Sequence, residues 1–246
     1  MEQQEYEILY KLEDNFWWHV GLRHLAHLSL KNMFKGKGLN ILDAGCGTGA
    51  NLVLLEEFGT AVGLDISPDA LKYCKHRNLE HLTRGSVTNL PYKDGLFHVV
   101  ISFDVIYHTQ VGDDINALSE FHRVLRDEGF LILNLPAYNF LKSSHDKFIH
   151  TKRRYTRAEI VKKLGQTRFI IQKATYRNTF LFPLLLIIRF FKRIFPSEQS
   201  DLKPLPHRIN DLFVLLLKFE NRILQLMNFP FGSSVYCVVK KEGVKI

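Results

Sequence analysis

The segment ILDAGCGTGANL, residues 41–52, places one carboxylate and three glycines at the end of an apolar run. Asp43 precedes Gly45, Gly47 and Gly49, and glycines let a ligand approach the backbone closely. Two patterns fit these letters. G-x-G-x-x-A indicates a dinucleotide-binding turn, whereas D-x-G-x-G-x-G indicates a turn that holds S-adenosylmethionine. A glycine motif alone does not decide between them, so its surroundings must.

Two carboxylates near the turn bear on this choice. Asp65 ends the next apolar run, about twenty residues after Gly45. A carboxylate there can accept hydrogen bonds from the ribose hydroxyls of either ligand. Asp43 would repel a pyrophosphate, but it suits a ligand that carries an ammonium and a sulfonium group. Asp65 therefore does not discriminate between the two ligands, whereas Asp43 favours S-adenosylmethionine.

The elements around these residues alternate short apolar runs with amphipathic segments, which is typical of a parallel sheet covered by helices. Residues 126–129 are expected to form the turn before the fifth strand. The expected fold class is α/β, with a Rossmann-like, seven-stranded, mostly parallel sheet and helices on both faces. We predict strands at 39–43, 60–65, 80–84, 97–103, 129–135, 168–178 and 233–241, and helices at 1–36, 49–58, 68–77, 113–126 and 156–165.

The pattern divides the chain into an N-terminal helical cap (1–36), the Rossmann-like domain (37–178 and 232–246) and an apolar helical insertion (179–231). The longest apolar stretch, 180–188, is shorter than the roughly 20 residues that span a bilayer. We expect the insertion to form a lid, to contact a membrane or a second subunit, or to pack as ordinary core. The polar start and the three separated cysteines predict a cytoplasmic protein without a signal peptide, with membrane association as an option.

The charge of the chain is concentrated in one segment. The chain has 33 basic and 25 acidic residues, a net charge of +8. Residues 142–173 contain ten Lys or Arg against Asp146 and Glu159, so their net charge is also +8. Such a segment suggests an anionic substrate, an anionic membrane surface or nucleic acid, or else a solvated helix face.

Two longer segments, GSVTNLPYKDGLFHVVISFDVIYH (85–108) and ALSEFHRVLRDEGFLILNLP (117–136), carry a family resemblance. They resemble the second half of class I S-adenosylmethionine-dependent methyltransferases, most closely the small-molecule branch of ubiquinone and menaquinone biosynthesis. The resemblance covers roughly 16–240. It implies S-adenosylmethionine as cofactor, S-adenosylhomocysteine as product, and a small lipophilic or anionic acceptor methylated on oxygen or nitrogen. Ser86 replaces the acid usual in the adenine turn, and Tyr107 replaces a common glutamate.

Cofactor-binding residues follow from the turn and from this resemblance. In the N-terminal FWWHVGLRH segment, Trp18 would cover the cofactor and Arg23 would bind its carboxylate, unless both only pack within the helix. The remaining candidates are Asp43, Gly45, Cys46, Gly47, Gly49, Asp65, Ile66, Ser86, Val87 and Phe103.

Catalytic and substrate residues are predicted at the carboxyl edge of the sheet. His108 and His145 are candidate general bases, although methyl transfer can also proceed by positioning alone. The two arginines of the segment after strand five could grip a phosphate or carboxylate, or could bind backbone carbonyls instead. The substrate candidates are Tyr138, Asp146, His150, Arg153, Arg154 and Tyr155. No histidine or cysteine spacing predicts a metal site.

Two other functions fit the same sequence. The basic 142–173 segment could serve an RNA or protein methyltransferase, but no RNA-binding domain is recognisable, so nucleic acid is not the expected partner. A non-catalytic S-adenosylmethionine-binding scaffold is the second alternative, because Ser86 departs from the usual adenine turn.

Overall fold

The computed structural model describes residues 3–142, 146, 150–194 and 204–243. A seven-stranded sheet with strand order β3-β2-β1-β4-β5-β7-β6 forms its centre. Strands β1 to β5 pair in parallel, and β7 lies antiparallel between β5 and β6. The strands are β1 Leu39–Ala44, β2 Gly59–Asp65, β3 Leu82–Arg84, β4 Phe97–Phe103, β5 Leu125–Pro136, β6 Phe169–Arg177 and β7 Ser234–Lys241. The predicted Rossmann-like fold is confirmed.

Helices cover both faces of this sheet, so its central strands are apolar on both sides. On one face Leu42 packs in a cluster with Leu118 and Leu164, and on the other Ile41 packs with Leu25 and Leu52. The helices are α1 Gln3–Leu12, α2 Trp17–Met33, α3 Ala50–Leu55, α4 Pro68–His76, α5 Asp114–Val124, α6 Arg157–Gln166, α7 Phe182–Ile194 and α8 His207–Leu226.

The N-terminal segment differs from the single helix predicted for 1–36, because α1 and α2 are separate helices. The buried side of α2 is also not the expected one. Its buried residues include Leu22, Leu25 and Ala26, because this side packs against α8 and the sheet. The helical spacing of the sequence predicts instead a face formed by Phe16, Val20, His24, His27 and Leu28, and these residues are only half-buried.

The turn predicted at residues 126–129 is wrong, because β5 already begins at Leu125. Leu125 pairs with Phe97, and the register shifts before Val99. Glu128 has a φ of 63° in this stretch. The irregularity absorbs the extra residues within the strand, as a β-bulge does.

Helix α8 packs on α2 through a buried side that is partly polar. Asn221 donates a hydrogen bond to the Gly21 carbonyl oxygen at 2.7 Å. The Glu220 carboxylate accepts the backbone N–H groups of Asn178 at 2.6 Å and Phe180 at 3.0 Å. Within the part of the chain that the structure describes, no helix has the length and hydropathy needed to cross a bilayer.

Candidate functional site

A cavity of about 560 Å³ opens at the carboxyl edge of the sheet, near the ends of the adjacent strands β1 and β4. The strand order reverses direction between these two strands, and this is where open α/β sheets bind ligands. The volume is within the range of small-molecule sites. The cavity wall combines the turn after β1 with the ends of β2 and β4, the turn after β3, and residues of α1, α2, α7 and α8.

The turn after β1 has a backbone that favours glycine at each of the three predicted positions. The φ angles are 92° at Gly45, 54° at Gly47 and 92° at Gly49. A Cβ atom on Gly45 would lie 2.2 Å from the Val105 side chain, whereas one on Gly47 would meet only Leu9, at 3.9 Å. Gly45 therefore permits the close approach of β4, and Gly47 keeps the floor of the cavity open.

Asp65 connects the end of β2 to this turn. Its Oδ2 accepts the Gly47 backbone N–H at 3.0 Å, and its Oδ1 accepts that of Ser67 at 2.9 Å. Burial raises the pKa of Asp65, and the bonds from Ser67 and Gly47 oppose this. Each oxygen keeps acceptor capacity for a ligand hydroxyl.

Asp43 is fully buried beneath the turn and does not line the cavity. Among the described residues, neither of its carboxylate oxygens has a hydrogen-bond partner at normal distance, although Asn51 lies beside it. Burial, reinforced by the charge of Asp65, raises the pKa of Asp43 to about 7. Asp43 is therefore placed to act on a ligand in the cavity through its charge, and its direct contact with a ligand ammonium stays a prediction.

Gly49 also lies outside the cavity wall. It precedes the first residue of α3, and a Cβ atom there would lie 2.7 Å from Leu79 and 3.0 Å from the Cys74 sulfur. Gly49 therefore allows α4 to pack against the start of α3, which is a structural role.

Helix α1 and the joint after it cover the turn, and sequence patterns did not reveal this. Glu13 is buried and accepts hydrogen bonds from the Thr48 hydroxyl and, at 2.9 Å, from Arg77. Arg77 also donates to the Thr48 carbonyl oxygen at 2.9 Å. Glu13 and Thr48 line the cavity, as do Tyr6 and Leu9 of α1. No spacing rule links an acid at 13 to a hydroxyl in the turn, because the two meet only after α1 folds over it.

Trp18 and Arg23 both line the cavity from α2. Arg23 donates hydrogen bonds to the carbonyl oxygens of Glu13 at 2.6 Å and Asp14 at 3.1 Å. The Arg177 guanidinium lies 5.3 Å from the centre of the Trp18 ring. Arg23 thus holds the joint between α1 and α2 together, whereas Trp18 contacts Arg177 of β6, and the roles of both side chains toward a ligand stay predictions.

The turn after β3 forms the side of the cavity next to Asp65. The Ser86 hydroxyl oxygen accepts the Thr88 backbone N–H at 3.2 Å and lies 2.8 Å from the Thr88 hydroxyl. Ser86 is therefore partly engaged in its own turn. The other predicted cofactor residues on the cavity wall are Cys46, Ile66, Val87 and Phe103.

Polar groups follow β4 on the opposite side of the cavity. Asp104 has a φ of 57°, and its Oδ1 accepts a hydrogen bond from Asn134 at 3.0 Å. Burial raises the pKa of Asp104 to about 6, and the charge of Arg177 opposes the rise. His108 lines the cavity and stacks on the Tyr107 ring, with 4.3 Å between ring centres.

Sequence reasoning also missed a histidine on α2. His19 lines the cavity, and burial together with Arg23 and Arg177 lowers its pKa to about 3. His19 is therefore neutral at physiological pH. The apolar pattern of α2 in the sequence did not indicate that His19 would face the cavity.

Among the described residues of the basic segment, Arg154 lines the cavity, and its guanidinium already forms hydrogen bonds within the protein. Arg154 binds the Asp146 carboxylate with two bonds of 2.9 and 3.1 Å and donates to the Ala137 carbonyl oxygen at 3.2 Å. Asp146, a predicted substrate residue, thus forms a buried ion pair with Arg154, and its role toward a substrate stays a prediction. His145 lies outside the described residues.

The other predicted substrate residues do not line the cavity, and three of them have side-chain partners elsewhere. Arg153 pairs with Asp114 at 2.8 Å, and the Tyr155 hydroxyl donates to the same carboxylate at 2.9 Å. Tyr138 stacks on Tyr176, with ring centres 5.1 Å apart. His150 is exposed. The sequence correctly predicts that these residues follow a strand at the carboxyl edge of the sheet. Which of their side chains face the cavity depends on tertiary contacts.

Known proteins resemble this chain in its central part. The family model for the methyltransferase domain matches residues 42–133. The demethylmenaquinone methyltransferase of Staphylococcus epidermidis is 34% identical over 128 residues, which are 46% of this chain and 52% of that protein. The chain carries a class I S-adenosylmethionine-dependent methyltransferase domain. It spans about half the length of the curated relatives it matches.

Solved structures share the fold of this methyltransferase domain over more of the chain. Phosphoethanolamine N-methyltransferase 2 of Haemonchus contortus, in complex with S-adenosylmethionine, has a TM-score of 0.56 at 18% identity, covering 88% of this chain and 52% of that one. The cyclase SpnF has a TM-score of 0.58 at 15% identity, covering 90% and 81%. The reaction must therefore be argued from the site, because one fold supports different chemistries.

The residues of the methyltransferase cavity fit S-adenosylmethionine. The turn keeps space open at Gly47, and Asp65 retains acceptor capacity for hydroxyls. A cationic ligand over the turn would favour the charged form of the buried Asp43 carboxyl. Within the described ranges, no group of histidine, cysteine and acidic side chains has an arrangement that could hold a metal ion.

Proposed function

We propose that this protein binds S-adenosylmethionine in the cavity and transfers its methyl group to the oxygen or nitrogen of a small lipophilic acceptor, releasing S-adenosylhomocysteine. One observation carries the proposal: a single cavity joins the glycine turn and Asp65 to an apolar wall formed by Leu181, Leu185 and Phe213. The polar end suits the cofactor, and the apolar end suits the acceptor.

At the cofactor end, Asp65 would accept the ribose hydroxyls, while its bonds to Gly47 and Ser67 hold it in place. The cofactor supplies a methyl group on a sulfonium, which is transferred by in-line displacement. The protein's part in that step is positioning, with reacting atoms brought about 3–3.5 Å apart. Tyr6 and Leu9 of α1 would keep water away from this end.

At the acceptor end, polar groups stand opposite the cofactor turn. Asp104 and His108 follow β4, and Asn178 and Ser233 lie on the same cavity wall. A hydroxyl acceptor must lose a proton, so a base is needed for it. His108 is the proposed base, and Asp104, with its raised pKa of about 6, is the second candidate.

The apolar wall favours a lipophilic acceptor over a macromolecular one. Three cations of the basic segment, Arg153, Arg154 and Lys163, form ion pairs with Asp114 or Asp146. Their charge is partly neutralised within the fold, which lessens the electrostatic grip that an RNA or protein methyltransferase would use. A lipophilic acceptor further leads us to propose peripheral contact with a membrane at the cytoplasmic side.

Calorimetry with S-adenosylmethionine is the first test, because a protein that does not bind it cannot have the proposed function. The second test incubates the protein with S-adenosylmethionine and panels of lipid, quinone and sugar acceptors, followed by mass spectrometry of the products. Cofactor binding with no methylated product from any lipophilic acceptor would favour the non-catalytic scaffold.

His108→Gln tests the base in the same assay. If His108 removes the acceptor proton, turnover should fall by about a hundredfold while S-adenosylmethionine affinity is unchanged. Asp104→Asn is the matched comparison on the same wall. If neither substitution lowers turnover, catalysis is by positioning alone.

A further inference from the structure

Helix α7 is apolar on more than one side. Leu181, which precedes it, and Leu185 within it line the cavity. Leu184, Phe190 and Phe191 point to solvent instead, and the two phenylalanines are 61% and 56% exposed. A helix that only closed a cavity would need one apolar side. The outer side of α7 therefore requires a separate explanation.

Helix α8 presents a second exposed apolar row. Leu212, Leu215, Phe219 and Leu226 lie near one side of the helix, and Leu215 and Leu226 are 65% and 89% exposed. The Phe219 ring stacks on Phe180, just before α7, with ring centres 6.2 Å apart. This ring contact joins the segment just before α7 to the exposed row of α8. We define the exposed apolar patch as Leu184, Ile187, Phe190, Phe191, Leu212, Leu215, Phe219 and Leu226.

The charges around the exposed apolar patch are mainly positive. The sequence of α7 contains three basic residues and no acidic residue. On α8, Arg208, Lys218 and Arg222 are exposed against one exposed acid, Asp211, whereas Glu220 is buried in contact with backbone N–H groups. A second copy docking through the same patch would bring like charges together, because a two-fold interface pairs each surface with itself. An anionic surface would be attracted instead.

We propose that an anionic lipid bilayer covers the exposed apolar patch. Helix α7 then lies in the interface, as basic amphipathic helices do, with Phe190 and Phe191 among the acyl chains. Its inner residues Leu185 and Ile188 line the cavity at the same time. This inference rests on the proposed lipophilic acceptor, and it places the entrance for that acceptor at the membrane, so that the acceptor does not have to cross water.

Vesicle flotation tests the proposal on the full chain. The probes are vesicles of phosphatidylcholine alone and of phosphatidylcholine mixed with phosphatidylglycerol. We expect the protein to float with the mixed vesicles, and to float less with neutral vesicles or at high salt. Phe190→Ser with Phe191→Ser should lower the bound fraction by about tenfold or more. Leu96→Ser, at another exposed leucine, should not change it.

A charge reversal provides the second arm. The double variant Arg208→Glu with Arg222→Glu should lose the preference for vesicles that contain phosphatidylglycerol. The control, Lys72→Glu with Lys75→Glu at exposed positions of α4, should retain this preference. A wild-type protein that does not float with mixed vesicles overturns the proposal. Light scattering gives a second contrary outcome. If the wild-type protein is a dimer and Phe190→Ser with Phe191→Ser dissociates it, a second copy covers the patch, and the proposal is overturned.

Calorimetry on the same preparations separates this inference from the proposed function. Binding of S-adenosylmethionine without flotation overturns membrane docking alone. Flotation without S-adenosylmethionine binding overturns the proposed methyl transfer and leaves the docking surface standing.

Discussion

Asp65 accepts the backbone N–H of Gly47 at 3.0 Å, although the two residues are 18 positions apart in the chain. The bond joins the end of β2 to the turn after β1. A change at either residue therefore affects both the shape of the turn and the carboxylate that faces the cavity.

Asp65→Ala should weaken S-adenosylmethionine binding more than tenfold, because a charge-assisted hydrogen bond contributes about 1.5–3 kcal/mol. Isothermal titration calorimetry measures this, and Glu80→Ala, at an exposed acid away from the cavity, is the control. A thermal melt shows whether the variant is folded. Equal affinity in a folded Asp65→Ala protein would contradict the assigned site.

Gly45→Ala and Gly47→Ala should have different effects. Alanine at 45 meets the Val105 side chain at 2.2 Å, so it should lower the melting temperature, and adding Val105→Ala should restore part of it. Alanine at 47 meets only Leu9 at 3.9 Å, so it should lower stability less, by about 1–2 kcal/mol for its left-handed backbone. It should, however, reduce cofactor affinity. Identical effects on stability and binding would be inconsistent with the two roles.

Asp43→Asn should stabilise the protein at high pH. The pKa of Asp43 rises from 3.8 to about 7 on folding, so the folded state favours the protonated form. The stability that protonated Asp43 gives the folded state is fully present below the unfolded pKa of 3.8. It is lost as the pH rises through the folded pKa of about 7. The variant should therefore exceed the wild type by on the order of 1–4 kcal/mol above about pH 7, and the difference should shrink toward pH 4. Urea denaturation across this range measures it, and a constant difference would be evidence against a buried, protonated Asp43.

S-adenosylmethionine binding should release a proton near pH 6, because a cationic ligand over the turn favours the charged form of Asp43. Calorimetry in two buffers with different ionisation enthalpies detects this release. In Asp43→Asn the release should be absent. Its persistence in the variant would assign the proton to another group.

Asp146→Ala should lower the free energy of unfolding by about 3–5 kcal/mol, because it leaves the nearly buried Arg154 without its partner. Adding Arg154→Met should recover part of the loss. The exposed pair of Lys11 and Glu7 is the control, since Glu7→Ala should have little effect on the free energy of unfolding. Urea unfolding measures all four proteins, and equal losses at both pairs would mean that Arg154 is solvated.

The strands and the cofactor end of the cavity were predictable from local sequence. The short apolar runs and the glycines after Asp43 are local signals, because each depends on neighbours along the chain. The strand ends brought Asp65, Ile66 and Ser86 to one edge, since parallel strands align their carboxyl ends.

The sequence by itself determined the sheet, the turn and the apolar character of α7 and α8. Only the tertiary structure decided which polar side chains face the cavity. Arg153, Tyr155 and Asp146 looked suited to a substrate, but each is engaged by a residue distant in the chain or across the segment. Glu13 lines the cavity instead, because α1 folds back over the turn and the Thr48 hydroxyl donates a hydrogen bond to the Glu13 carboxylate. Such pairings depend on distances between elements, and no periodicity along a single element encodes them.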